Sequence, residues 1–181
     1  LLVDAFAKVV QAGRDVRLRV AGQVLDRRYW REVRRTLARK VPADRFEYLG
    51  EIGLAEKVAL LHSLSVFCQP SIKPEALGTA SLEAQAAGVP VVAPDDGVFP
   101  EMLGLTSGGL LFSAGNADAL AAALTRIADD PERADAMGES AVEAVARDLS
   151  GAAAASTMEQ LLTSVLGEAA TGGAGSGEST V

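Results

Sequence analysis

Residues 70–94 read PSIKPEALGTASLEAQAAGVPVVAP. The stretch opens with two prolines in five residues, which suits a loop. Gly78 then frees the backbone, and the run of Ala, Leu, Glu and Gln that follows favours helix. Gly88 closes that run. A short β-branched segment, Val91 to Ala93, sits between Pro90 and Pro94. The spacing predicts a loop over 70–78, a helix from about Thr79 to Ala87, and a buried strand over 91–93. Just upstream, residues 65–69 (SVFCQ) form another apolar run that Pro70 stops. Strand, loop, helix, strand is the repeating unit of a parallel sheet, whose strands must be joined by crossovers.

The same alternation extends in both directions. Leu2, Ala5, Phe6, Val9 and Val10 recur at helical steps, so residues 1–11 read as a helix. Residues 16–21 (VRLRVA) and 46–49 (FEYL) read as strands, each closed by a glycine. Residues 26–40 read as a basic helix between them, and 54–64 as a helix with Val58, Leu60, Leu61 and Leu64. Downstream come a short helix after Pro100, a strand over 109–112 (GLLF), and helices over 116–129, 131–148 and about 151–166. Pro131 suits a helix start. The fold class is α/β: a Rossmann-like, doubly wound parallel sheet with helices on both faces. One domain is expected over 1–169. A Gly/Ser-rich tail over 170–181 is expected to be disordered.

Composition agrees with one compact domain. The chain has 181 residues, of which 49% are hydrophobic and only 4% aromatic. Ala, Leu and Val therefore supply the core volume, as in helix–sheet layers. Lys and Arg number 17 against 24 Asp and Glu, a net charge of −7, so nucleic acid is not an expected partner. Cys68 is the single cysteine, which excludes an intrachain disulfide and points to a cytoplasmic setting. No run reaches the length of a membrane span. His62 is also alone, so no metal-ligand cluster is legible. Cys68 reads as a small buried hydrophobe, and His62 as an ordinary helix residue.

Two common phosphate-binding signatures are missing. Gly-x-Gly steps occur only in the tail, and no Gly-x-x-x-x-Gly-Lys is present, which argues against dinucleotide enzymes and P-loop hydrolases. Asp95 and Asp96 follow a strand, as phospho-acceptor aspartates do. No lysine follows them, because Lys73 is the last in the chain, which argues against a receiver domain.

The chemistry converges on the loop 70–78 and the helix after it. Ligands of open α/β sheets bind outside the carboxyl ends of the strands. Free amides of Thr79 and Ala80 at the helix start would attract phosphate. Glu75 and Glu83 flank that anion site, with seven residues between them. Alone, one would be an exposed loop acid and the other a helix-start acid favoured by the macrodipole. Together around Gly78 they suit hydroxyl-rich ligands, because carboxylates accept hydrogen bonds from diols.

The pattern PS-x-x-x-E-x-x-G-x-x-x-L-E-A-x-A-x-G-x-P-V-V-A resembles the donor-site motif of the family 4 retaining glycosyltransferases, the glycosyl transferases group 1, which have the two-domain GT-B architecture. VRLRVAG, FEYLGEI and GVFPEMLG…GGLLFSAGNADALAAAL follow in family order. The resemblance implies a C-terminal, donor-binding domain of an enzyme that moves a sugar from a nucleotide diphosphate sugar to an acceptor with retention. It implies that Glu83 holds the ribose hydroxyls and that Glu75 acts catalytically at the transferred sugar. The amides around Gly78, Thr79 and Ala80 would bind the diphosphate or the sugar, and Ile52, in the turn 50–52, would lie near the base. No metal or cofactor is implied; the nucleotide sugar is the donor substrate. Two departures stand out. The family commonly has Glu-Gly-Phe-Gly where this chain has Glu75-Ala76-Leu77-Gly78, and Ala76 restricts the backbone more than glycine does. The family's diphosphate-gripping Arg and Lys lie upstream of the first helix. The chain, opening in mid-helix without Met, is therefore expected to be truncated at its N-terminus, to partner an N-terminal domain of the same protein, and to be inactive alone. The alternatives are a nucleotide-sugar-binding module without catalysis and a GT-B-like sugar-nucleotide epimerase domain.

The helix over 26–40 carries Arg27, Arg28, Arg31, Arg34, Arg35, Arg39 and Lys40. Its arginines read as a solvated outer face, with Tyr29, Val33 and Leu37 as the buried stripe. Peripheral contact with an anionic membrane is the other reading.

Overall fold

The structure, a computed structural model, describes residues 1–172, with side chains to residue 166. Eight α-helices, one short 3-10 turn and five strands lie among them, helices and strands alternating as far as α6. α1 (Leu2–Gln11), β1 (Leu18–Ala21), α2 (Arg27–Lys40), β2 (Phe46–Gly50) and α3 (Leu54–His62) form the first half. β3 (Phe67–Cys68), α4 (Thr79–Ala86), β4 (Val91–Pro94), α5 (Phe99–Thr106) and β5 (Gly109–Phe112) follow, and then α6 (Ala117–Asp129), α7 (Pro131–Asp148) and α8 (Gly151–Gly172). The expected disordered tail falls largely on 173–181, outside the described residues, while α8 runs past the expected end at 166, through residue 172.

Local chemistry sets several of these starts. Asp26 caps α2, its carboxylate accepting from the N–H groups of Arg28 at 2.7 Å and Tyr29 at 3.0 Å. Asn116 caps α6 in the same way, and Asp130 caps α7 just ahead of Pro131. Such caps satisfy amides that a helix start leaves without partners.

All strand pairs are parallel, as expected, but they fall into two sheets rather than one. β1 pairs with β2, and β3 with β4 and β5 in the order β3-β4-β5. An apolar run shows that a segment is a strand; it does not show which neighbour completes its hydrogen bonds, and no ladder joins β1 to β3 among the described residues. One helix covers both sheets instead. Ala5 and Val9 of α1 join a core with Val92, Phe112, Leu120 and Ile127. Phe6 and Ala7 of the same helix pack with Leu37 and Val41, against Leu18 and Phe46.

β4 is the centre of the molecule. Val91, Val92 and Ala93 have no exposed surface. Val92 faces the α1–α6 core, whereas Val91 and Ala93 face Leu61, Ala84, Phe99 and Leu103 on the opposite side. Both faces of the strand are therefore covered, which is why it reads as a continuous hydrophobic run. Burying side chains such as Phe99 and Leu120 completely contributes about 1.5–3 kcal/mol each. Within this sheet the backbones of β4 and β5 approach closely where Gly109 pairs with Val91: a Cβ on Gly109 would lie 1.9 Å from the carbonyl oxygen of Val91.

The buried stripe of α2 differs by one position from expectation. Tyr29 is largely exposed, and Trp30 packs inward, its ring 4.6 Å from that of Tyr48 and 6.3 Å from that of Phe46. Trp30, Val33 and Leu37 are as well spaced for one face as Tyr29, Val33 and Leu37. The aromatic surface of β2 selects between them.

Candidate functional site

Because the strands of each sheet are parallel, the loops after β2, β3 and β4 leave from carboxyl ends. The loop 70–78 follows β3 and delivers Glu75. Its carboxylate is held through one oxygen: Gln69 donates its side-chain amide to Oε1 at 2.6 Å, and the Ser71 hydroxyl donates to the same atom. Gln69 also bonds Ser71 Oγ at 2.8 Å, and its backbone N–H bonds Val92 O at 2.9 Å. The Glu75 side chain is thus referenced to the central strand through the last residue before Pro70.

The backbone of Glu75 is fixed from the other side. Val98 N–H donates to Glu75 O at 2.9 Å. Gly97, with φ +60°, lies so close that a Cβ there would fall 2.6 Å from Glu75 O and 2.7 Å from Glu75 N. Only glycine meets both requirements.

Gly78 turns the chain into α4. It is left-handed, with φ 58° and ψ 35°, and no side chain caps the helix that follows. A Cβ at Gly78 would come within 2.9–3.1 Å of Phe99, Val98 and Met102. The amides of Thr79 and Ala80 make no hydrogen bond to another described residue, and both residues are exposed. A helix start with open amides and positive dipole is a phosphate-binding element.

Glu83 lies on α4 and is also held by one oxygen. Lys57 Nζ of α3 donates to Glu83 Oε1 at 2.7 Å. The second carboxylate oxygen, Oε2, of both Glu75 and Glu83 makes no hydrogen bond to a described residue. Each carboxylate is therefore oriented and still able to accept from a ligand hydroxyl. Lys57 sits near the start of α3, where Glu56 accepts from the Gly53 N–H at 2.8 Å. Ile52, half-buried, lies in the turn between β2 and this helix. The ion pair ties the helix after one sheet to the helix within the other.

A family model described as glycosyl transferases group 1 matches residues 1–144, most of the chain. The chain belongs to the group 1 glycosyltransferases. Among relatives of this group 1 chain, a phosphatidyl-myo-inositol mannosyltransferase of Mycobacterium leprae is 35% identical over 127 residues, covering 70% of the chain and 32% of the relative. The chain spans about a third of the length of the curated relatives it matches. Among solved structures, Anabaena Alr3699/HepE in complex with UDP superposes with a TM-score of 0.79 at 22% identity, covering 90% of the chain and 44% of that protein. The C-terminal domain of a group 1 glycosyltransferase from Francisella tularensis gives 0.73 at 18% identity, covering 82% of the chain and 77% of that domain. At these identities the likeness shows the fold: one Rossmann-like domain of the GT-B architecture.

For this group 1 domain, sequence reading named Glu75, Gly78, Thr79, Ala80 and Glu83, and the structure places them in the loop 70–78 and the first turns of α4. Ile52 lies in the turn ahead of α3, the helix whose Lys57 contacts Glu83. Sequence reading missed Lys57, Gln69, Ser71 and Gly97. Gln69 and Ser71 flank Pro70 inside the motif and could have been found as polar residues at a strand end. Lys57 is one basic residue on an amphipathic helix, and nothing local distinguishes it.

Proposed function

We propose that the chain is the C-terminal domain of a retaining glycosyltransferase and binds the nucleotide diphosphate sugar donor. The observation that carries this reading is the placement of two carboxylates, each anchored by Oε1 and open at Oε2, on either side of an uncapped helix N-terminus. Glu83 accepts from the ribose hydroxyls. The open amides at Thr79 and Ala80 meet the diphosphate, and their dipole stabilises negative charge on the leaving group as the glycosidic bond breaks. Glu75 faces the sugar, where its contact matters most as positive charge develops at the anomeric carbon. Ile52 borders the base. The Anabaena neighbour, solved in complex with UDP, supports a nucleotide as the kind of ligand.

The acceptor and the other wall of the cleft belong to a second domain in this reading, consistent with the chain's one-third share of its relatives. The 181 residues alone then bind donor without turnover, because water exclusion and acceptor alignment need closure between domains. A cytoplasmic setting belongs to the same reading and rests on the lone cysteine.

A thermal-shift screen of UDP, GDP and ADP and their hexose conjugates tests it. A ligand held by the native state raises the melting temperature by mass action. One nucleotide family should stabilise the chain, and Glu83→Gln should remove most of that shift. Failure of every nucleotide, or a shift indifferent to Glu83, would overturn the reading.

A further inference from the structure

Charge is distributed very unevenly over this molecule. α2 carries seven basic residues and one acid, Glu32, within a chain of net −7, so a +6 helix opposes −13 on the remainder. Elsewhere basic side chains are mostly matched: Lys8 pairs with Asp118, Arg14 with Asp129, Arg19 with Glu47, Arg45 with Asp15, and Lys57 with Glu83. Lys40, the last residue of α2, pairs with Asp4. Arg27, Arg28, Arg31, Arg34, Arg35 and Arg39 are all exposed and form no ion pair with a described residue, although acids are in excess. A helix kept soluble by its own surface would more ordinarily interleave both signs.

The arrangement is directional. Trp30, Val33 and Leu37 point into the domain, and Arg28, Arg31, Arg35 and Arg39 recur at three- and four-residue steps on the opposite side. Their side chains line a shallow groove of about 760 Å³ along the outside of the helix. At the N-terminal end of α2, beside Arg27 and Arg28, two apolar side chains are exposed: Leu25 at 87% and Tyr29 at 62%. Arginines on one face with exposed apolar residues at the end make an interfacial surface.

We infer that the outer face of α2 docks this domain onto an anionic bilayer. A bilayer meets the arginine-bearing face of α2, and the net −13 is carried outside this helix, so the charge asymmetry favours docking through α2. Leu25 and Tyr29 enter the headgroup region while the arginines pair with lipid phosphates.

Co-sedimentation of the 181-residue chain with vesicles tests this. With 30% phosphatidylglycerol in phosphatidylcholine, binding is expected in 0.05 M salt and release in 0.5 M salt; pure phosphatidylcholine should capture none. A basic residue at such a surface is worth about fivefold in partitioning. The variant Arg28→Gln/Arg31→Gln/Arg35→Gln/Arg39→Gln should therefore lower binding by roughly 10²–10³-fold. Arg126→Gln/Arg133→Gln, which removes two exposed arginines from other helices, should leave it unchanged. All six side chains are exposed, so circular dichroism should report native folding in both variants. Absence of binding to the anionic vesicles overturns the inference, as does equal loss in the two variants. Binding to a single-stranded oligonucleotide in preference to vesicles would assign the face to nucleic acid and overturn it equally.

Discussion

Lys57 and Glu83, 26 residues apart on α3 and α4, are joined by a 2.7 Å ion pair that leaves one oxygen of the glutamate free. Both side chains keep more than a third of their surface exposed, so the pair adds at most about 1 kcal/mol to stability. Its consequence lies in orientation: the lysine holds the carboxylate in one rotamer before a ligand arrives. Lys57→Met should leave the denaturation midpoint nearly unchanged and weaken nucleotide diphosphate binding by about three- to tenfold. Lys57→Arg should restore most of the loss. In a double-mutant cycle with Glu83→Gln the two losses should not add. Calorimetry on the four proteins measures this, and additive losses would separate Lys57 from Glu83.

The two glutamates should fail differently. Glu83→Gln keeps the shape and removes the charge that, in the proposed reading, accepts from a ribose diol. A hydrogen bond to a charged group contributes about 1.5–3 kcal/mol, so affinity for nucleotide and nucleotide sugar alike should fall roughly ten- to hundredfold. Glu75→Gln should leave free nucleotide binding nearly intact and lower turnover of the full-length enzyme. Calorimetry paired with steady-state rates checks both. Loss of nucleotide binding in Glu75→Gln with retention in Glu83→Gln would reverse the roles.

Gly97 should behave as a site residue although it offers no side chain. Its substitution by alanine incurs a left-handed backbone cost of about 1–2 kcal/mol. It also drives a methyl group into the Glu75 backbone, 2.6 Å from the carbonyl oxygen. Gly97→Ala should lower unfolding free energy by roughly 2–4 kcal/mol, measured by urea denaturation. In the full-length enzyme it should reduce turnover as Glu75→Gln does, because it moves the same loop.

Cys68 predicts an alkaline effect. Burial pushes its thiol from 9.0 up to about 12, because a thiolate is disfavoured among apolar neighbours. Between those values the native state keeps a proton that the unfolded chain releases, so stability falls as pH rises from about 9 to 12 and is unaffected below that window. The slope from this group is at most about 1.4 kcal/mol per pH unit. Cys68→Ala should flatten that part of the stability profile. At pH 8 the native thiol should react with an aromatic disulfide far more slowly than in urea.

The sequence by itself determined the alternation of helices and parallel strands, the turn at Gly78, and the pairing of Glu75 with Glu83 around it. Those features are local: apolar period, glycine and proline positions, and a seven-residue interval that a loop and a helix start translate directly into space. Tertiary structure alone decided the rest. Whether Tyr29 or Trp30 turned inward depended on the rings of Tyr48 and Phe46. The strands divided into two sheets beneath α1 because hydrogen-bond partners are chosen in three dimensions, and an apolar run does not name its neighbour. Gly97 came to lie under Glu75, and Lys57 beside Glu83, only through the packing of loops and helices from separate crossovers. These contacts span more than twenty residues of chain, and helical or strand periodicity carries no information over that distance.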